Sequence, residues 1–134
     1  MLDTNILSDA IRNPFGRLAA QMDKFGIDLI CTSAIVASEM RYGAAKKSSP
    51  RLIERVDAVL ARISVAPYDA NATIHYASIR THLERQGEII GWGDLFIAAH
   101  ARSLGMTLVT ANIREFSRVP NLQVENWLSE DPAQ

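Results

Sequence analysis

A chain of 134 residues, 48% hydrophobic and 22% charged, has the length of one domain and the composition of an ordinary globular protein. These figures exclude an extended disordered region and, with Cys31 as the only cysteine, a disulfide framework. No window nears the roughly 18 apolar residues of a membrane span, and the net charge of −1 supplies no basic field of the kind that advertises a nucleic-acid binder. Of the 14 basic residues only Lys24, Lys46 and Lys47 are lysine, so arginine, the better residue for bidentate phosphate contacts, dominates. Met1-Leu2 runs directly into Asp3 with neither a basic start nor an apolar stretch, which predicts a cytoplasmic protein without a signal peptide.

The pattern alternates strands and helices. Met1-Leu2 reads as the end of a short first strand, followed by a helix from Asn5 to Arg12 that stops near Asn13-Pro14. A second helix is predicted from Phe15 to Phe25, closed by Gly26, and then an apolar strand from Ile27 to Thr32 with Cys31 as a small buried hydrophobe. Ser33 can cap a helix from Ala34 to Lys46. Lys46-Lys47-Ser48-Ser49-Pro50 is a helix–helix connection, leading to a helix over Arg51–Arg62 whose apolar residues recur with period 3.6. Ile63 to Ala66 is a strand. Asp69 caps a long helix to Gln86, closed by Gly87; Gly93-Asp94 opens another to Leu104; Met106–Thr110 and Leu122–Val124 are strands. Strands separated by helices imply an α/β fold, a mostly parallel sheet between helical layers in a single domain over residues 1–134. Sites in such sheets lie at the carboxyl ends of the strands.

Polar residues collect at that edge. Asp3-Thr4-Asn5 follows the first strand, where a turn or helix cap is the plain alternative. Glu39 falls four residues after Ile35, in what reads as the inward stripe Ile35, Val36, Met40 and Gly43, and a carboxylate there needs a partner or a metal. Asp94 stands at the start of its helix, behind Gly91-Trp92-Gly93, and an ordinary N-cap explains it equally well. Thr110-Ala111-Asn112 follows a strand, with Glu115 on the same face as Asn112 if the segment makes a helical turn. Carboxylates about 5 Å apart repel by about 3 kcal/mol per pair at an effective dielectric of 20. A marginally stable fold keeps such a cluster only with a cation, and a carboxylate set with open positions suits Mg²⁺ or Mn²⁺ and phosphodiester hydrolysis.

Four segments in order resemble the PIN-domain ribonucleases, and among them the VapC toxins of VapBC toxin–antitoxin pairs. They are Met1-Leu2-Asp3-Thr4-Asn5, Ser38-Glu39-Met40-Arg41-Tyr42-Gly43-Ala44, the stretch from Ile90 through Gly93-Asp94 to Ala101, and Leu108-Val109-Thr110-Ala111-Asn112-Ile113-Arg114-Glu115-Phe116. The ending Val119-Pro120-Asn121-Leu122, then Glu125-Asn126-Trp127, is also similar, so the likeness runs from about residue 2 to residue 128. It implies a three-layer α/β/α sandwich and a Mg²⁺-dependent endoribonuclease acting on structured RNA such as tRNA. Asp3 and Asp94 would be the principal metal ligands with Glu39 beside them, Mn²⁺ being able to substitute, and Glu115 would complete the catalytic acids. Thr4, Asn5, Thr110 and Asn112 would support the site. A homodimer is implied, and a VapB antitoxin that covers a hydrophobic groove, blocks the site and forms a larger hetero-oligomer. Many PIN domains carry Asp where Asn112 stands, which leaves the fourth ligand between Asn112 and Glu115. Gly93 stands where another residue is common.

Arg41, Arg114 and Arg118, near Glu39 and Glu115 in sequence, are candidates for gripping phosphates, and Trp92 for stacking on a base. His75 and His82 read as surface or interface residues; no HxxxH pair is present. Two other readings compete. An aspartyl-phosphate receiver or haloacid-dehalogenase-like phosphatase needs a late lysine, and none follows Lys47. A degenerate domain could bind RNA or a partner without cutting.

Overall fold

The computed structural model describes residues 1–129. Its elements in chain order are α1 (Thr4–Arg12), α2 (Arg17–Phe25), a 3₁₀ turn (Ile27–Leu29), β1 (Cys31–Ser33), α3 (Ala34–Lys47), α4 (Pro50–Arg62), β2 (Ser64–Ala66), α5 (Ala70–Gln86), α6 (Trp92–Ser103), β3 (Leu108–Val109), α7 (Ile113–Phe116) and β4 (Val124–Glu125). Leu2 sits at the middle of the sheet, bridging Thr32 on one side and Val109 on the other, both parallel. The Leu2 N–H donates to the Cys31 carbonyl at 2.8 Å, the Asp3 N–H to Val109 at 2.9 Å, and the Val109 N–H to Met1 at 2.8 Å. β1 pairs with β2 and β3 with β4, also parallel, so the order across the sheet is β2, β1, the Leu2 segment, β3, β4.

Successive side chains of a strand point to opposite faces. Every residue of β1 and β3 is buried, so both faces of the sheet's centre are covered by helices. β2 and β4 are partly exposed because they are the edges. Parallel neighbours require long crossovers, and the helices supply them: α1 and α2 before β1, α3 and α4 before β2, α5 and α6 before β3. The expected three-layer α/β/α architecture is what forms.

Local chemistry places the helix ends. The Ser33 hydroxyl accepts from the Ile35 N–H at 3.0 Å to cap α3, and Asp69 Oδ1 accepts from the N–H groups of Asn71 and Ala72 to cap α5. Gly87, at φ 67°, ends α5 in the left-handed region that glycine enters without a Cβ penalty.

Several boundaries differ from the sequence reading. The strand expected over Ile27–Thr32 starts only at Cys31. Ile27–Leu29 is a 3₁₀ turn with Leu29 73% exposed, because Gly26 at φ 110° turns the chain before it can enter the sheet. The strand expected over Met106–Thr110 is confined to Leu108–Val109, and the last one moves to Val124–Glu125. α6 begins at Trp92 with Gly91 as its N-cap, so Asp94 lies in the first turn and is not the cap. Residues 130–134 of the expected domain lie outside the described residues.

Leu2 is 1% exposed and fills the space between both halves of the sheet. Leu2→Ala should lower the unfolding free energy by about 3 kcal/mol, the cost of removing a buried leucine side chain and leaving a cavity. The shift of the urea midpoint, at unchanged slope, measures it.

Candidate active site

Asp3 ends the central strand and begins α1. Its Oδ1 accepts from the Thr4 N–H at 2.8 Å, and its Oδ2 accepts from the Thr110 hydroxyl at 2.8 Å. Thr110, fully buried just after β3, also accepts from the Asn112 N–H at 3.0 Å, so its hydroxyl is satisfied on both sides. Asp3 is only 5% exposed, and burial is the main reason its carboxyl titrates above the usual range. The two hydrogen bonds oppose that rise, and the charge of Glu39 adds to it.

Glu39 approaches from α3, where the Thr4 hydroxyl donates to its Oε2. The sequence reading placed Glu39 on the inward face, but the buried residues of α3 are Val36, Ala37, Met40 and Ala44, and Glu39 itself is exposed. It stands beside the apolar stripe, at the lip of a cleft. The cost of burying a carboxylate therefore falls on Asp3, which the sequence reading had taken for a plausible helix cap and which does cap α1 as well.

Asp94 projects from the first turn of α6. Its carboxyl is pushed up to about 7, first by burial, then by a hydrogen bond with Glu115 and by the charges of Asp3, Glu115 and Glu39. Two carboxyl groups can share a hydrogen bond only by holding a proton between them. Glu115 comes from α7, where its Oε2 accepts from the Asn112 side-chain amide at 2.6 Å. Asn112 thus tethers Glu115. Asn5 accepts from the Ala111 N–H at 3.5 Å, tying α1 to the loop after β3.

Asp3, Thr4, Asn5, Glu39, Asp94 and Asn112 line one open cleft of about 330 Å³; Glu115 does not line it and is connected to it through its hydrogen bond with Asp94. Ser8 and Arg12 also line it, and sequence reasoning missed both. The signal was available: with Thr4 they recur every four residues on α1, and so share one face. An apolar groove of about 290 Å³ continues from the cleft over Ile11, Met40, Ala44, Leu52 and Val56, with Arg12 and Lys47 at its rim.

The remaining candidates are dispersed. Arg41 pairs with Asp57 between α3 and α4. Arg118 donates to the Ile89 carbonyl at 3.3 Å, Arg114 is exposed, and Trp92 is 75% exposed at the start of α6. His82 is exposed, and His75 accepts from the Arg102 Nε at 2.9 Å.

As the side chains stand, no three Asp, Glu, His or Cys side chains among the described residues are grouped tightly enough to hold an ion. Glu39 is turned to Thr4, and Glu115 to Asn112 and Asp94. The donor set still fits a hard divalent cation: it is all oxygen, and burial, the hydrogen bond with Glu115 and the neighbouring carboxylates together favour a proton on Asp94 where a cation would serve.

A PIN-domain family model matches residues 1–122. The chain is 41% identical over 130 residues to Ribonuclease VapC2 of Haemophilus influenzae, covering 96% of this chain and 97% of that protein. It is also 41% identical over 130 residues to the tRNA(fMet)-specific endonuclease VapC of Shigella flexneri, covering 95% and 96%. Among solved structures, VapBC2 from Rickettsia felis bound to a DNA fragment from its promoter superposes with a TM-score of 0.89 at 40% identity, covering 95% of this chain and 97% of that one. DNA-bound VapBC from Salmonella typhimurium gives 0.90 at 38%, covering 95% and 96%.

Asp94 titrates at about 7 in the folded chain and near 4 once unfolded. Folding of the metal-free protein is therefore unpenalised below pH 4 and increasingly penalised as pH rises from about 4 to 7. In EDTA, Asp94→Asn should leave Tm almost unchanged near pH 4 and raise it above that of the wild type at pH 8. Thermal unfolding across that range checks the sign, and an Asn variant no more stable at pH 8 would contradict the electrostatic account.

Proposed function

The chain belongs to the PIN-domain family, in its VapC ribonuclease branch, and from this we propose that it is a Mg²⁺-dependent endoribonuclease toxin. Family membership removes the receiver and phosphatase alternatives. The observation that carries the reading is that Asp3 and Asp94, 91 positions apart in the chain, face one cleft at the carboxyl edge of the sheet, where burial first, and then Glu115, Asp3 and Glu39, lift the Asp94 carboxyl to about 7.

In this reading Asp3 and Asp94 would hold the metal with Glu39 beside them, and Glu115 would complete the acids. When bound, Mg²⁺ or Mn²⁺ acidifies water and neutralises charge growing on the phosphoryl group. Thr110 and the Thr4 N–H keep the Asp3 carboxylate in one orientation, so that no reorganisation is needed during the reaction. Asn112 donates to Glu115 and holds it against Asp94; it is a tether, and Glu115 is the fourth acid. Asn5 and Ser8 are polar positions for the RNA backbone, and Arg12, inside the cleft, is the cation nearest to an incoming phosphate. Arg114 and Arg118 extend that contact and Trp92 offers a face to a base. Arg41 reaches RNA only by exchanging its exposed pair with Asp57, which costs little.

The substrate is structured RNA, with tRNA the first to test, as the name of the Shigella flexneri relative suggests. The inhibitor is a VapB-type antitoxin lying in the apolar groove over Met40, Leu52 and Val56, which opens onto the cleft. Residues 1–134 belong to a single domain, and the toxin works as a cytoplasmic homodimer that joins its antitoxin in a larger hetero-oligomer. No helix among the described residues is long and apolar enough to cross a membrane.

Total tRNA incubated with antitoxin-free protein and Mg²⁺ should give discrete fragments. EDTA should abolish them, and Asp94→Asn should slow cleavage by about 10²–10³-fold, the worth of several kcal/mol of metal-borne stabilisation. Equal cleavage by Asp94→Asn would place the chemistry elsewhere.

A further inference from the structure

We infer that Gly93 is a positioning residue for Glu39: the side chain missing at 93 is the space that the Glu39 carboxylate occupies. A Cβ built on Gly93 would stand 2.7 Å from Glu39 Oε1 and 3.9 Å from its Cδ, and apart from its chain neighbours and the backbone of its own helix nothing else would lie within 4 Å. The carboxylate is thus held between the Thr4 hydroxyl on α1, which donates to Oε2, and the bare backbone of α6, against which Oε1 rests. Glu39 is otherwise an exposed side chain on α3, with rotamer freedom to lose.

Backbone geometry does not require this glycine. Gly93 is absent from the positive-φ residues and lies in the first turn of α6, where alanine is the better helix former. Gly91, two residues earlier, is different: a Cβ there would meet only Asp94 Oδ2, at an ordinary 3.7 Å. The glycine at 93 gives up helix propensity, and what it leaves in return is room for one carboxylate next to Asp94. Because the Glu39 carboxylate is the free end of a flexible side chain, an added methyl displaces the carboxylate and leaves the helix in place.

The inference rests on the metal-site reading above, so the experiment separates the two. Mn²⁺ binding to the full-length, antitoxin-free protein is titrated by calorimetry for the wild type, Gly93→Ala, Glu39→Ala, the double variant, Gly91→Ala and Asp94→Asn, and Tm is recorded in EDTA for each. Gly93→Ala should weaken Mn²⁺ binding by about tenfold, as loss of a ligand-orienting contact does, with a Tm at or above that of the wild type. Added to Glu39→Ala, where the space is already free, it should cost nothing more. Gly91→Ala should bind Mn²⁺ as the wild type does. Wild-type affinity in Gly93→Ala, or an equal loss in the Glu39→Ala background, would overturn the inference while a weakened Asp94→Asn kept the site reading intact. Wild-type affinity in Asp94→Asn would bring down both. Should Gly93→Ala alone fold poorly, the double variant, which relieves the contact, still decides whether the effect passes through Glu39.

Discussion

A carboxylate that is 5% exposed at the end of the central strand is the constraint around which the molecule is arranged. Burying Asp3 is tolerable only if its oxygens are satisfied, and each is, by the Thr4 N–H and by the Thr110 hydroxyl. Those partners come from both ends of the chain. Thr110 is brought to Asp3 by the pairing of β3 with the Leu2 segment, and Thr4 by the start of α1. The same bonds therefore close the sheet and orient the first acid of the site. Removing Thr110's hydroxyl would unpair a buried carboxylate oxygen and loosen both.

The rest of the acidic cluster is built with progressively less rigidity. Asp94 is carried by a helix, Glu39 by a helix but exposed, and Glu115 by a short helical turn and an amide tether. The protein accepts both the burial of Asp94 and the repulsion among these groups, and the raised Asp94 carboxyl reflects them in that order. Stability given up at a site of this kind is the usual accompaniment of function. Glu39 and Glu115 are each held by a hydrogen bond, from Thr4 and from Asn112.

The cleft joins two chemistries side by side. One end is polar and acidic, and the other is an apolar groove whose rim carries Arg12 and Lys47. A net charge of −1 does not argue against a polyanionic substrate under these conditions. At a phosphate in the cleft the local field would be set by Arg12 and by any cation the acids hold, and the average over the surface has little weight within a Debye length of them.

The sequence by itself determined the α/β class and the helix caps at Ser33 and Asp69, because hydrophobic period and capping chemistry are local. It also determined the candidate acids, because the four motifs carry them. Only the tertiary structure decided which acid is buried. The spacing on α3 pointed to Glu39, yet the pairing of Leu2 between Thr32 and Val109 buried Asp3 and left Glu39 at the cleft's edge. It likewise put Arg12 in the cleft, tied Asn112 to Glu115, and gave Gly93 a reason, since no local pattern reports a carboxylate arriving from a helix more than fifty residues away. Periodicity says which face of an element is apolar. What that face meets depends on contacts between segments distant in sequence, and those exist only once the chain has folded.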